Sequence, residues 1–576
     1  RHLLISEYPK IKTGGETMFS HVSREAFVVM ASAVLLFCAQ SARAQNNAGS
    51  VQGVVKSSSG ASLSGAFVKL KNADRRLTFM VISQAQGRYT ANNLPAGEYT
   101  VQGIGGDHQS VLSPVDVGSR PVTVDLSLTQ QREAQYLPGW PGRPGVAPAR
   151  QRAVLAPPTL PEGDGKQILA TKCTTCHDAN RIVRSQGDRA RWARVIEDMQ
   201  NYSEGSSFSE ALTGQEIGVL LDYLVANYSD SGAGRETPKP ADSNTRLPRY
   251  LLQGDATKYI AVEYELPDIH SEPHEVAVDS DGNGWVTQRS GGRLGRLDIK
   301  TLIYTEMDPP PAAAQKLRLN GIITGTDNKL WFLDGGPNRR WLTIDTRTRE
   351  FNSFTLPPTK SGNASGNSMR VHPNGTIWLN SIGNNEVIRL DPATKEFTFF
   401  EVPSGVKAGR SASPYGMAID GAGYIWVVEN AMNLMARVHP VTGEFEEFPI
   451  PVDGPVARKA GMDSEGNIWV GLHAAGKLMK IDYKTLQMTV YDPPTENSGV
   501  YSVQGDPTSK LVWFSQQHVD MIARFDPTTE TFTEYPLANA EEDHRRIDID
   551  ANNPNRIWWS GNLSGRVGYI ELIDGN

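Results

Sequence analysis

Apolar and polar positions alternate with a period of two through most of this chain, in short runs. That spacing sets every second side chain on one face of an extended strand, so it predicts β structure with one buried face. From residue 259 onward the alternation becomes a repeat, marked by a tryptophan behind an Asp/Asn-Gly turn: Trp285, Trp331, Trp378, Trp426, Trp469, Trp513 and Trp558. The intervals are 46, 47, 48, 43, 44 and 45 residues. Each unit reads strand, D-x-x-G turn, "hxW" strand and "I-x-R-h-D" strand, as in "VIRLDPATKEFTFFEVP" and "MARVHPVTGEFEEFPIP". Such turns give four antiparallel strands per unit, and one unit cannot bury both of its faces alone. Seven of them close into a β-propeller, which removes long exposed edges. "AVEYELP" at 261–267 matches the outer strand "FEEFPIP", so the first strand of the region is expected to complete the last blade.

Two other regions carry pattern. Residues 51–129 alternate between Gly and Pro punctuation, as in "GRYTANNLPAGEYTVQGIG" and "RPVTVDLSL", which predicts a small β-sandwich. Between 161 and 229 the period turns helical, with "GDGKQILATKC", "RARWARVIEDMQNY" and "TGQEIGVLLDYLVANY" as three short helices. The fold class is therefore mainly β and multidomain, with an N-terminal β-sandwich, a small all-α domain and a C-terminal seven-bladed β-propeller. The expected map is an upstream segment and signal peptide (1–44), the sandwich (45–130), a Pro-rich extended linker (131–160), the helical domain (161–229), a second linker (230–250) and the propeller (251–576).

Composition narrows the reading. With 57 Lys and Arg against 64 Asp and Glu the net charge is −7, which argues against a nucleic-acid partner. "AFVVMASAVLLFCA" at 26–39 is an apolar run of 14 residues followed by Ala42-Arg43-Ala44, a small-residue cleavage pattern. It predicts export to a periplasm or beyond with cleavage near Ala44, and the run is too short to remain as a membrane span. Removal of Cys38 leaves Cys173 and Cys176.

Those two cysteines stand in "KCTTCHDAN", residues 172–180. A C-x-x-C-H run offers two thiols to the vinyl groups of a haem and a histidine to its iron, so Cys173, Cys176 and His177 predict covalent haem c. A thioredoxin-like site would need a strand before the motif, and zinc would need a second ligand pair, yet no Cys or His occurs between 178 and 269. Met199 is the only methionine between 178 and 306 and is the candidate sixth ligand, a core methionine being the alternative. Haem implies electron transfer with a redox partner protein.

Three resemblances follow from these residues. Gly53, Gly65-Ala66, Gly87 to Tyr89 and Leu94 to Tyr99 resemble the carboxypeptidase regulatory-like domain, which implies a transthyretin-type sandwich acting as spacer or docking module. The C-x-x-C-H run with Arg191-Trp192, Val195-Ile196, Met199 and the helix from Glu216 through Tyr223-Leu224 resembles the monohaem cytochrome c domains of periplasmic oxidoreductases, with Trp192 as a haem-edge or core residue. The repeat resembles the virginiamycin B lyase propeller family, which implies elimination assisted by Mg²⁺ on glutamates with a histidine base near the channel.

The family's W-x-x-E slot holds Glu429 in blade 4, while the other blades offer Gln288, Asp334, Ser381, Leu472, Gln516 and Gly561. A Glu-x-His pair is the implied core, but blade 6 reads Gln516-Gln517-His518, and a lost carboxylate weakens a Mg²⁺ site. His274, Glu429, His473 and His518 are the catalytic candidates. His274, Glu275, Asn320, Arg370, Tyr415, Arg458, Lys459, Arg545 and Arg546 are expected at one mouth, either as a cationic ring for an anionic or carbonyl-bearing small molecule or as scattered rim charges. Three functions stay open: a haem c protein whose propeller binds or oxidises a small molecule, a lyase with an appended cytochrome, and a non-enzymatic binding and electron-shuttle protein.

Overall fold

The computed structural model describes residues 48–133, 160–173, 187–193, 195–196, 212–229 and 243–573, apart from 312–316, 326–328, 336–339, 358–365, 367 and 541. The signal segment, most of the Pro-rich linker, Cys176, His177 and Met199 lie outside the described residues.

Within the repeat each marker tryptophan is buried, and in three blades the turn ahead of it satisfies the ring. Asp279, Asp420 and Asp463 open three of the turns, and one carboxylate oxygen of each accepts turn N–H groups. The other oxygen accepts the indole N–H of Trp285, Trp426 or Trp469 at 2.7, 2.8 and 2.8 Å. One side chain thus closes the hairpin and satisfies the polar edge of the buried ring.

Six four-stranded sheets follow one another, from Pro273–Val278 as the inner strand of blade 1 to Thr531–Pro536 as the outer strand of blade 6. Blade 7 takes its three inner strands from the end of the chain (His544–Ile549, Arg556–Gly561, Arg566–Leu572) and its fourth from Tyr259–Glu265, which pairs antiparallel with Arg566–Leu572. The strand expected to complete the last blade does so. The inner strand of blade 1 packs against that of blade 7, which closes the ring.

The N-terminal domain forms two sheets, one around Gly49–Ser57 and one built on Phe67–Asn72, Leu77–Ile82 and Gly97–Gly105. It is more than a tethered spacer. Leu77–Ile82 pairs antiparallel with Tyr259–Glu265, from Val81 opposite Ile260 to Leu77 opposite Tyr264, so the second sheet runs on into blade 7 as ten strands. Phe79 and Tyr99 share a core with Val262 and Tyr569, and Phe67, Met80 and Ile82 share another with Tyr259 and Trp559. The outer edge of blade 7, which would otherwise offer unpaired backbone, is covered.

The segment after residue 242 is stapled to both bodies. Arg132 donates to the carbonyls of Gly106, Leu247 and Pro248 at 2.7, 2.9 and 3.2 Å. Arg246 pairs with Asp520 at 2.6 Å and donates to the carbonyl of His518 at 3.0 Å.

The described part of the helical region holds short helices at Gly165–Ile168 and Leu169–Cys173, helical residues at 189–193, and a longer helix at Gly214–Tyr228. The last is capped reciprocally by Thr213 and Glu216. They enclose Leu169, Trp192, Leu220, Tyr223 and Leu224, and the Trp192 indole donates to the Tyr228 carbonyl at 3.0 Å. Trp192 is therefore a core residue, the second of the two readings given above. These elements are too few and too short to support the expected all-α cytochrome c domain, and of the haem residues only Cys173, half-buried at a helix end, is described. Among the described residues no helix is long and apolar enough to cross a membrane.

Candidate functional site

Pairing within each blade leaves the loops between second and third strands, and the approaches to the inner strands, on one face of the ring. On six blades the inner strand enters through a register shift, at Pro273/Glu275, Leu319/Ile322, Pro414/Met417, Ala457/Ala460, Val500/Val503 and His544/Ile547. A bulge re-aims the residue it contains. The first residue within each shift is His274, Asn320, Tyr415, Arg458, Tyr501 and Arg545 in turn. Blades 4 to 7 therefore contribute Tyr, Arg, Tyr and Arg to one arc of the mouth.

The arc is in contact. The Tyr415 and Tyr501 hydroxyls are 2.5 Å apart, both rings buried. Arg458 lies over both, with its guanidinium carbon 5.1 Å from the Tyr415 centroid and 5.7 Å from that of Tyr501. Arg545 lies over Tyr501 at 5.6 Å. Burial first, and the neighbouring Tyr501 second, push the Tyr415 phenol well above its ordinary range.

Two histidines complete the arc. His473 follows the second strand of blade 5 and His518 that of blade 6, and their ring centroids are 4.5 Å apart. His473 also meets Tyr501 edge to face at 5.4 Å. The hydrogen bonds define their tautomers. Gln517 donates its amide to Asp543 at 2.5 Å, so its carbonyl oxygen faces His473 Nε2 at 2.7 Å and that nitrogen must carry the proton. His518 Nδ1 lies 3.0 Å from the Asn497 carbonyl, so it too is a donor and Nε2 is left basic. Burial, helped by His518 and Arg458, holds His473 far below the usual imidazole range, and burial pushes His518 down to about 4. Both rings are neutral at pH 7.

Beneath the mouth the channel is lined with compensated charge. Lys459 reaches across the ring to Glu275 at 2.5 Å and to Ser368 at 3.0 Å, and burial lowers it to about 8. Arg370 donates to the carbonyls of Met369 and Ala460 at 2.7 and 2.6 Å, and Arg546 pairs with Asp548 at 3.2 Å.

Of the catalytic candidates, His473 and His518 are brought together. His274 is buried on blade 1, two blades round from blade 6, and Glu429 is buried in blade 4 beside Ser404 and Glu447. Tyr501, Gln517 and Asp543 belong to the arc although sequence reasoning did not single out Tyr501 or Asp543. Tyr501 could have been found by setting the inner strands under one another, where it takes the place of Tyr415.

The implied Mg²⁺ does not fit the residues present. At the slot of blade 6, Gln516 donates its amide to Glu534 at 2.7 Å, and Thr495 supplies its N–H at 3.1 Å and its hydroxyl at 2.8 Å to the same carboxylate. A hard cation wants charged oxygens, and here the one carboxylate already faces three donors. Among the described residues no three His, Cys, Asp or Glu side chains are grouped to hold a metal ion.

Comparison with known proteins agrees with this architecture. Residues 305–575 match the virginiamycin B lyase family and residues 50–129 the carboxypeptidase regulatory-like domain. A solved streptogramin B lyase structure is 20% identical, with a TM-score of 0.49, over 56% of this chain and 100% of that one. Selenomethionine virginiamycin B lyase from Staphylococcus aureus is 19% identical, with a TM-score of 0.48, over 55% and 100%. A catalytically inactive histidine-to-alanine form of the S. aureus enzyme with quinupristin is 20% identical at the same TM-score of 0.48, again over 55% and 100%. No curated protein matches the chain. The molecule thus joins a carboxypeptidase regulatory-like β domain to a virginiamycin B lyase-like propeller.

Proposed function

We propose that the arc over blades 4 to 7 is the ligand site of an exported protein and performs a lyase-like elimination on a carbonyl compound without a divalent cation. One observation carries this reading: two neutral histidines in contact, each with one nitrogen committed as donor, beside a pair of arginines. His518 Nε2 serves as the base. It takes a proton from the carbon next to the ligand's carbonyl, the C–H pair becomes a C=C bond, and the C–O bond beyond it breaks so that oxygen leaves with its electrons. His473, fixed through Gln517 to Asp543, is a positioning residue. Positive charge from the arginines stabilises oxyanion character as it develops.

The test is mass spectrometry on cyclic and linear esters with an acidic hydrogen next to the carbonyl, quinupristin among them because it appears with the similar S. aureus enzyme. Elimination opens a cyclic ester with no change of mass, whereas hydrolysis adds a water. Mass-neutral opening in the presence of EDTA, lost in His518→Ala, is expected. Conversion that adds water, conversion unaffected by His518→Ala, or no conversion of any ester tried would overturn the proposal.

A second reading attaches to the C-x-x-C-H run. We propose that Cys173 and Cys176 bind haem c with His177 and Met199 as axial ligands, so that the helical region passes electrons to a redox partner protein. Cys173, at a helix end against a small apolar core, is the observation that favours it. A pyridine haemochrome spectrum of periplasmically matured protein, absent in Cys173→Ala/Cys176→Ala, is the check; a colourless wild type would remove this reading and leave the first intact.

A further inference from the structure

Among the described residues, each of the other cations placed at the mouth has a carboxylate or carbonyl partner. Arg545 donates to Asp543 at 3.2 and 3.0 Å, Arg546 pairs with Asp548, Lys459 with Glu275, and Arg370 is capped by two carbonyls. Arg458 touches two tyrosine faces instead. Its Nε is buried with no hydrogen-bond partner, and no carboxylate pairs with it among the described residues. A donor left unmet in a buried setting costs free energy, more so when it is charged. Its positive charge lowers the proton affinity of both histidines, behind burial as the main cause.

We infer that Arg458 is the anchor for a carboxylate on the ligand, and that this ion pair, in place of a metal ion, fixes the ligand over the histidines. The inference rests on the arc being a ligand site. A guanidinium presents paired N–H groups in the fork that a carboxylate accepts. The two tyrosines hold the plane of that fork, since the ring faces on which Arg458 lies are themselves tied by the Tyr415–Tyr501 hydrogen bond. One uncompensated guanidinium calls for a single negative charge, so the ligand is a monocarboxylate rather than a phosphate. The bonded Gln516–Glu534 pair in blade 6 removes the competing way of holding an oxyanion, a cation bridging two carboxylates.

The experiment is a titration of the full chain with benzoate, benzamide and inorganic phosphate at constant ionic strength, each with EDTA and with Mg²⁺, followed by the histidine signals in NMR. Benzoate should shift the His473 and His518 signals saturably and equally with EDTA or Mg²⁺, while benzamide and phosphate should not. Arg458→Gln should weaken benzoate by about tenfold or more, with Arg458→Lys in between, because a buried charge-assisted bidentate contact is worth more than 1.4 kcal/mol. Tryptophan fluorescence melting confirms that both variants fold. Unsaturable benzoate, benzoate that needs Mg²⁺, phosphate that binds as tightly, or an Arg458→Gln that binds as wild type would each overturn the assignment. The two readings fail separately. Benzoate binding through Arg458 without ester opening would sink the elimination alone. Ester opening untouched by Arg458→Gln would sink the anchor and leave the oxyanion role to Arg545.

Discussion

The slots at the ends of the second strands make a sharp prediction about Glu429. In blade 1, Gln288 donates to Glu306 at 2.8 Å, and in blade 6, Gln516 donates to Glu534 at 2.7 Å, each partner lying 18 residues further on. Blade 4 has Glu429 where the amide should be and Glu447 as its partner, bridged by Ser404, whose hydroxyl reaches Glu429 at 2.5 Å and whose N–H reaches Glu447 at 2.7 Å. Burial, with Glu447 nearby, pushes Glu429 up to about 8 from an ordinary value of 4.5. Its folded value lies above its unfolded one, so its contribution to stability is complete below pH 4.5 and drains away as pH rises to 8. At about 1.4 kcal/mol per pH unit, the loss across that window is on the order of 3–5 kcal/mol. Glu429→Gln installs the amide that the sister blades carry and cannot ionise. It should match wild type near pH 4.5 and exceed it by about 2–4 kcal/mol at pH 8, the lower figure allowing for water that reaches the carboxyl. Urea unfolding followed by tryptophan fluorescence at a series of pH values reads the difference. A variant no more stable than wild type at pH 8, or a gap that does not widen with pH, would refute the pairing logic.

Other outcomes are expected. Residues 48–133 contain no tryptophan, so fluorescence reports only the rest of the chain; Val81→Pro should nonetheless lower that melting temperature, because a proline in the strand joined to Tyr259–Glu265 removes a backbone donor and leaves a buried acceptor unmet at a cost of about 1–3 kcal/mol. An unchanged fluorescence melt would mean that the sheets are not energetically continuous. Trp426→Phe removes the 2.8 Å bond to Asp420 and leaves a cavity, and should cost about 2–4 kcal/mol by chemical denaturation, whereas a loss under 1 kcal/mol would contradict the role given to that carboxylate. His518, held near 4, binds fewer protons folded than unfolded between pH 4 and 6.5, so stability should rise with pH across that window. A midpoint near 6.5 in its NMR titration would show that the ring is not desolvated.

The blades were legible because their information is local. In three blades an Asp six residues ahead of a tryptophan closes a turn and caps an indole within one hairpin, and seven tryptophans at nearly constant spacing leave little else to build. Completion of blade 7 by Tyr259–Glu265 was legible for the same reason, as a strand matching its repeat without a home in it. The junction with Leu77–Ile82 was not. Nothing in the apolar run "LTFMVI" distinguishes a strand that ends its own sheet from one that extends into another, because both bury both faces and the partner is set by the fit of two finished domains. At Trp192 the sequence left a haem-edge and a core reading open, and the ring packs in the core with its indole bonded to the Tyr228 carbonyl.

The mouth lies between these cases. His473 and His518 follow second strands one repeat apart, so their convergence could be argued from spacing, and Arg458 and Arg545 share one register position. Their partners are what spacing misses, since Gln517 joins His473 to Asp543 across three blades by side-chain reach alone. The same register argument explains why chemistry can leave the slot and settle at the mouth. A slot needs only a donor facing a carboxylate to be a stable blade end, and Gln516 supplies one. Its amide takes the place at which a second carboxylate would call for a cation, and the hairpin keeps its shape. In the proposed elimination, positive charge near the oxyanion would come from the bulged positions. Arg458 stands at such a position, held flat by tyrosines on the blades to either side, and among the described residues no carboxylate pairs with it.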